Sequence, residues 1–277
     1  MVKLESLTDR EFKRFRDFIY EVSGIHVPDT KKTLLSNRIR RRLRACASVS
    51  FTEYLSHVTS SQGAGEVEGL LNAVTTNETS FFRTDKHFEW LETEFIREVT
   101  QQHKARLRTP QLRIWSAACS TGEEPYSIAI CLAANQLRLS NWSLKIVATD
   151  ISRGELDTAQ AGIYKERSTE SLDPKRLKRY FKRNESESTW EIKPSIRSMV
   201  EFQRHNILDP LRQPSFDCVF IRNVLIYFDK DSKQRVIDNL IDSMSPAGYL
   251  VVGPSEGIFE MLAPLKKHSP FLYQRVS

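Results

Sequence analysis

A chain of 277 residues with 41 Lys and Arg against 35 Asp and Glu, a formal net charge of +6, can bury one large core or two smaller ones. Its four scattered cysteines, Cys46, Cys119, Cys131 and Cys218, show no CxxC spacing and do not group with the six histidines, which speaks against a disulfide framework and a zinc site; a reducing compartment and no metal are expected. Residues Met1 to Phe12 are charged and helix-like rather than signal-like, and no apolar stretch is long enough to span a bilayer, so a soluble cytoplasmic protein is expected.

The charge is uneven along the chain. Residues 1–50 hold 12 Lys and Arg against 6 Asp and Glu, while the remainder holds 29 of each, so the whole excess sits in the first fifty residues. A separate basic module follows from this asymmetry. Thr8-Asp9-Arg10-Glu11 is a capping box, and Phe12, Phe15, Phe18, Ile19 and Val22 recur at helical spacing until Gly24. A second helix is predicted over Lys31 to Ala45, where seven basic residues carry no acid among them. Leu35, Ile39, Leu43 and Cys46 fall on one side of its wheel; Arg40, Arg41 and Arg44 fall on the other, with Arg38 and Arg42 flanking. Short helices are predicted at Phe51 to His57 and near Val67 to Val74, on either side of the loop Ser60 to Gly65.

From Leu112 strands alternate with helices, which implies a mainly parallel sheet covered on both faces. Leu112 to Ala118 reads as a strand, Cys119-Ser120-Thr121-Gly122 as a tight turn, and Glu123-Glu124-Pro125-Tyr126-Ser127-Ile128 as a helix start. A second strand, Leu144 to Thr149, ends in Asp150. Strand, glycine-bearing turn, helix, strand and terminal carboxylate form a nucleotide-site layout. A pyrophosphate turn needs several glycines and avoids fixed negative charge, whereas here a single glycine precedes two glutamates. That chemistry suits S-adenosylmethionine, whose ribose hydroxyls fit Asp150 and whose ammonium and sulfonium favour carboxylates. Glu123 and Glu124 would equally complement the helix dipole with no ligand at all.

After Asp150 a helix is predicted over Ser152 to Ala161. Residues 162–203 then interrupt the alternation and read as an inserted subdomain: a helical piece at Asp173 to Phe181, a polar turn at Arg183 to Ser188, and strand-like flanks at Thr189–Lys193 and Ser198–Gln203. The sheet resumes at Phe216 to Ile221. A helix from Asp231 to Met244, with Val236, Ile237, Leu240 and Ile241 inward, and strands at Tyr249–Val252 and Phe271–Val276 complete the pattern.

Four motifs occur in order: Asn77-Glu78-Thr79-Ser80-Phe81-Phe82-Arg83; Ala118 to Ser127; Ala148-Thr149-Asp150; and Ile221-Arg222-Asn223-Val224-Leu225-Ile226-Tyr227-Phe228. Together they resemble the CheR family of chemotaxis receptor methyltransferases, over nearly the whole chain as far as Gly253-Pro254-Ser255-Glu256. The resemblance implies methyl transfer from S-adenosylmethionine to glutamate side chains on the cytoplasmic helices of chemoreceptors. The fold implied is α/β, a class I methyltransferase with a doubly wound, mostly parallel seven-stranded sheet and a small β insertion, preceded by an all-helical domain. Residues 1–74 would form that basic helical domain and 75–277 the cofactor-binding domain. By the same resemblance Asn77, Thr79 and Arg83 would contact the cofactor from a loop acting as a lid, Glu124 would hold its methionine or adenosine portion, and Asp150 its ribose. Asn206 with Ile207, and Arg222 with Asn223, would complete the pocket, while Tyr227 would face the transferring methyl beside Arg83. Pro254 stands where the family often shows a histidine.

A glutamate nucleophile is ionised at neutral pH, with a pKa of about 4.3, so no general base is required. The site must orient and desolvate a carboxylate, which an arginine fork and a tyrosine hydroxyl suffice to do. The basic helix then acquires a purpose, since Arg38, Arg41, Arg42 and Arg44 suit docking against a glutamate-rich receptor bundle. A monomer that binds neither nucleic acid nor membrane is expected. Two rivals stay open: a nucleic acid methyltransferase, against which stands the absence of proline after Asn223 and of aromatics among the arginines, and a non-catalytic S-adenosylmethionine sensor. In isolation Asn206 and Asn223 read as turn residues, Phe81 and Phe82 as core, Cys119 as a small turn residue, and Tyr227 equally as a half-buried sheet-end aromatic.

Overall fold

The computed structural model describes residues 6–48, 50–75 and 78–276. The chain divides into two compact units, one of residues 1–77 and 227–235, the other of 78–226 and 236–277.

The first unit holds α1 (Asp9–Ser23), α2 (Lys32–Ala45), α3 (Phe51–Val58) and α4 (Ala64–Val74). Thr8 caps α1 reciprocally with Glu11, and Gly24 ends it at φ 72°, a conformation that favours glycine. The apolar stripes meet in a core of Phe12, Phe15, Ile19, Leu35, Ile39, Leu43, Phe51, Tyr54 and Leu55, all buried. Phe15 lies against both Phe51 and Tyr54, at 6.4 and 6.1 Å between centroids. Each large side chain so buried contributes about 1.5–3 kcal/mol.

The acid-free run of α2 is compensated from outside the helix. Arg42 donates to Glu66 of α4 through Nε at 2.8 Å and Nη2 at 2.7 Å, and the Tyr54 hydroxyl donates to the same carboxylate at 2.6 Å. Burial alone would raise the Glu66 carboxyl, but these hydrogen bonds outweigh it and hold the group below its ordinary value. Arg38 donates to the carbonyls of Val74 and Thr75 at the end of α4. Arg41 and Arg44 are exposed. Residues 227–235 return to this unit: His26 N–H donates to the Tyr227 carbonyl at 2.8 Å, and Ile25 forms an antiparallel bridge with Phe228.

The second unit opens with α5 (Asp85–Trp90), a wide π-type turn over Leu91–Phe95, and α6 (Ile96–Lys104). Then follow β1 (Gln111–Ala117), α7 (Glu123–Ala134), β2 (Ser143–Asp150), α8 (Arg153–Ala161), β3 (Ile163–Lys165), α9 (Glu166–Thr169), α10 (Pro174–Tyr180), β4 (Phe181–Asn184), β5 (Thr189–Ile192), α11 (Pro194–Arg197), β6 (Val200–Arg204) and β7 (Phe216–Ile221). Helix α12 (Lys230–Ser243), which begins in the first unit, leads to β8 (Met244–Val252), β9 (Leu265–Ser269) and β10 (Leu272–Arg275).

A seven-stranded sheet runs in the order β6-β2-β1-β7-β8-β10-β9. Its first five strands are parallel, and β10 is antiparallel to both neighbours. The parallel strands read as apolar runs because both faces are covered: Ile114, Trp115, Ile146, Val147, Val219, Phe220, Leu250 and Val251 are all buried. A separate three-stranded sheet, β3-β5-β4, forms the insertion around the turn predicted at Arg183 to Ser188. One sequence reading is corrected. Ser198–Gln203 does not flank that hairpin, because Val200–Arg204 pairs with β2 as the edge of the main sheet, where Glu201 takes the Lys145 ammonium at 2.6 Å.

Candidate active site

The chain leaves β1 for β2 and β6 on one side of the sheet, then returns to place β7 on the other side of β1. The carboxyl ends of β1 and β7 therefore flank a topological switch point, where open α/β sheets hold their ligands. The residues predicted for the site within this unit gather around it.

After β1 the backbone turns through Ala118 at φ 58°, Ser120 at 49° and Gly122 at 94°. A Cβ on Gly122 would stand 2.9 Å from the Ala159 Cβ and 3.1 Å from the Tyr164 hydroxyl, so the turn has no room for a side chain there. Two residues in the left-handed region besides the glycine are costly and mark a loop held in place by its surroundings. Cys119 is buried within it; burial pushes its thiol well up, so it is inert packing, as its turn position predicted.

The two glutamates of α7 diverge. Glu123 is buried and accepts the Thr121 hydroxyl at 2.6 Å, and burial raises its carboxyl. Glu124 accepts the Ser116 hydroxyl at 2.7 Å and pairs with Arg222 Nη1 at 3.1 Å. Its charge is thus matched from inside the protein, and the net negative charge read from the sequence is smaller than Glu123-Glu124 implied. Asp150, at the end of β2, accepts the amides of Ser120 at 2.8 Å and Ser152 at 2.9 Å. Burial raises its carboxyl against the pull of those amides. A carboxylate offers about four lone-pair positions, so Asp150 keeps acceptor capacity for vicinal hydroxyls.

His205 N–H donates to the Asp150 carbonyl at 2.9 Å and brings the segment after β6 alongside. There Asn206 turns its Oδ1 to the Leu208 amide at 3.1 Å, the turn role its type favours, and Ile207 is buried. At the end of β7 the Arg222 side chain is 2% exposed and runs between Glu124 and the Arg83 carbonyl, to which it also donates. Its Nε is buried with no partner among the described residues, an orphaned donor beside the crevice. Asn223 follows in the left-handed region at φ 59°.

The loop before α5 is anchored rather than loosely laid. Phe81 and Phe82 are core, as their apolar character predicted, and the Phe82 amide donates to Ser127 Oγ at 2.9 Å. Arg83 Nη1 donates to the Glu78 carbonyl at 2.8 Å, and Thr79 is half-buried between them in sequence. Asn77 lies outside the described residues, and Tyr227 belongs to the first unit.

Residues 77–270 match the family described as "CheR methyltransferase, SAM binding domain", and residues 10–75 its companion, "CheR methyltransferase, all-alpha domain". The chain belongs to the CheR methyltransferase family. Among similar proteins, a "Chemotaxis protein methyltransferase" of Salmonella typhimurium is 36% identical over 277 residues, covering 99% of this chain and 92% of its own. "Chemotaxis protein methyltransferase 2" of Pseudomonas aeruginosa is 38% identical over 253 residues, covering 90% and 87%. A "Chemotaxis protein methyltransferase" of Borreliella burgdorferi is 34% identical, covering 91% and 90%. This CheR chain is a methyltransferase with S-adenosylmethionine as its cofactor. The site fits that group: Asp150 retains acceptor capacity for ribose hydroxyls, and Arg222 Nε is a buried donor with no partner among the described residues.

Sequence reasoning named Glu256 only as the end of the Gly253-Pro254-Ser255-Glu256 motif and gave it no role, although it is a buried acid that accepts two amides of the loop after β7. It missed Ser116 as the partner of Glu124, and His87, which is buried, stacks on Phe271 at 4.4 Å and is pushed down to about 3 by burial and the nearby Arg222 charge. Pro254 is exposed.

Proposed function

We propose that this methyltransferase esterifies glutamate side chains on the cytoplasmic helices of chemoreceptors. The observation that carries the reading is the match along nearly the whole chain to relatives named chemotaxis protein methyltransferase, at 34–38% identity. A glutamate nucleophile arrives already ionised, so the reaction asks for no general base.

S-adenosylmethionine supplies the methyl group on a sulfonium leaving group that needs no proton. The protein's part is placement and exclusion of water. Thr79, Arg83, Glu124, Asp150, Asn206, Ile207, Arg222 and Asn223, with Asn77 preceding them, are assigned to the cofactor. Arg83 is also assigned to the incoming carboxylate. It accepts no proton; its work is orientation.

The four arginines of α2 expected to dock the receptor divide by their partners. Arg42 and Arg38 tie α2 to α4, whereas Arg41 and Arg44 extend into solvent, and receptor docking is assigned principally to the latter two. No helix among the described residues is long and apolar enough to cross a membrane, and a cytoplasmic site of action is proposed.

The test is incubation with methyl-labelled S-adenosylmethionine and a chemoreceptor cytoplasmic fragment. Alkali-labile label, absent when the fragment's glutamates are replaced by alanine, is the expected result. Label that survives alkali, or that persists in the alanine fragment, refutes glutamyl esterification.

A further inference from the structure

Glu256 is 1% exposed and lies beyond β8, on no element assigned to the cofactor. Its two oxygens face the loop that follows β7: the Asn223 amide donates to Oε1 and the Leu225 amide to Oε2, the latter at 2.9 Å. A carboxylate removed from water must find donors or lose its charge. Here the donors are alternate amides of a site loop, one of them on a residue in the left-handed region. The backbone around Gly253 is shaped to the same contact, for a Cβ there would stand 2.3 Å from Glu256 Oε1 and 3.1 Å from the Asn223 amide nitrogen.

We propose that Glu256 is the positioning residue of the cofactor site: it clamps the 223–225 backbone so that Arg222 and Asn223 point into the crevice. The inference rests on the reading that these two residues contact the cofactor. Among the described residues the loop 222–225 has no strand partner after Ile221, so the carboxylate does for it what a neighbouring strand does for the sheet. Through the loop it fixes Arg222, and through Arg222 it sets Glu124 and the Arg83 carbonyl. Three separated segments of the site thus take their register from one buried acid that touches no reacting atom.

Glu256→Gln is the informative variant, because its amide would place an NH2 against a backbone N–H and release one of the two loop contacts. Affinity for S-adenosylhomocysteine is measured by calorimetry well below the variant's melting temperature, alongside KM for the receptor fragment at saturating cofactor. The expected result is a Kd for S-adenosylhomocysteine raised about tenfold, the effect of losing one charge-assisted hydrogen bond, with the receptor KM unchanged. A lowered melting temperature with unchanged Kd would show a purely structural acid and overturn the proposal. Gly253→Ala, which pushes on the carboxylate without removing it, should raise the Kd in the same direction; it is the deciding variant if Glu256→Gln does not fold, and an unchanged Kd there overturns the proposal equally. Asn223→Ala separates the two readings. If it weakens binding while Glu256→Gln and Gly253→Ala do not, the clamp is wrong and the cofactor site stands; if Asn223→Ala itself binds normally, the site assignment fails and the clamp with it.

Discussion

The pair of Glu124 with Arg222 offers the sharpest quantitative test. Glu124→Ala leaves the Arg222 guanidinium buried, its side chain 2% exposed, with only the Arg83 carbonyl among the described residues still accepting from it, and deprives the Ser116 hydroxyl of its acceptor. Removing one partner of a buried pair costs about 3–5 kcal/mol, because the charge left behind has neither water nor counterion. Glu124 is 12% exposed, so water reaches the vacated space and the lower end, about 3 kcal/mol, is expected. With a urea slope of about 3 kcal/mol per molar for a chain of this size, the unfolding midpoint should fall by about 1 M. Glu124→Leu combined with Arg222→Met removes both charges and should recover most of that loss. Neither variant should gain the roughly 2.7 kcal/mol that S-adenosylhomocysteine at a hundred times its Kd confers on a competent site. A Glu124→Ala midpoint equal to that of the unaltered chain, or a double variant no more stable than the single one, would refute the reasoning.

Reversing the exposed arginines, Arg41→Glu with Arg44→Glu, should raise the receptor KM by about tenfold and leave the S-adenosylhomocysteine Kd unchanged, by kinetics and calorimetry side by side; a changed cofactor affinity would contradict the division of labour. Glu66→Ala strips the buried Tyr54 hydroxyl of its acceptor while Arg42, 30% exposed at its side chain, rehydrates, so a stability loss of about 2 kcal/mol is expected in denaturant titration. His87 gives the pH dependence. The unfolded chain takes up its proton near pH 6.5 and the folded chain only near 3, so this contribution is intact above about pH 6.5 and declines as pH falls toward 3. His87→Phe, which keeps the ring stacked on Phe271, should flatten the fall in urea midpoint between about pH 7 and pH 4.5.

What the sequence disclosed followed from chemistry that acts locally. The strand ending at Ala117, the turn closed by Gly122 and the acidic start of α7 are each imposed by neighbouring residues, so their order was legible, and with it the ligand crevice. The α5–α6 segment was not read. The wide turn at Leu91–Phe95 slips the apolar stripe so that Phe95 and Ile96 are buried in succession, which obscures a 3.6-residue period. Strand β6 alternates like any half-buried strand, and alternation does not say which sheet a strand joins; the pairing with β2 decides it. The charges were least legible. Arg42 finds Glu66 24 residues away, Arg222 finds Glu124 98 residues away, and Asn223 finds Glu256 33 residues away, so a charge counted as free in the sequence is committed in the fold.

The first unit's membership has a consequence for how the chain is made. About 150 residues separate Asn77 from Tyr227, and only after they have been translated does Phe228 become available to bridge Ile25, or the Tyr227 carbonyl to accept from His26. At about 5–20 residues per second, the amino-terminal helices wait roughly ten to thirty seconds on the ribosome before their unit can be completed. A fragment cut at Asn77 would stay in that waiting state permanently, lacking the segment that finishes it.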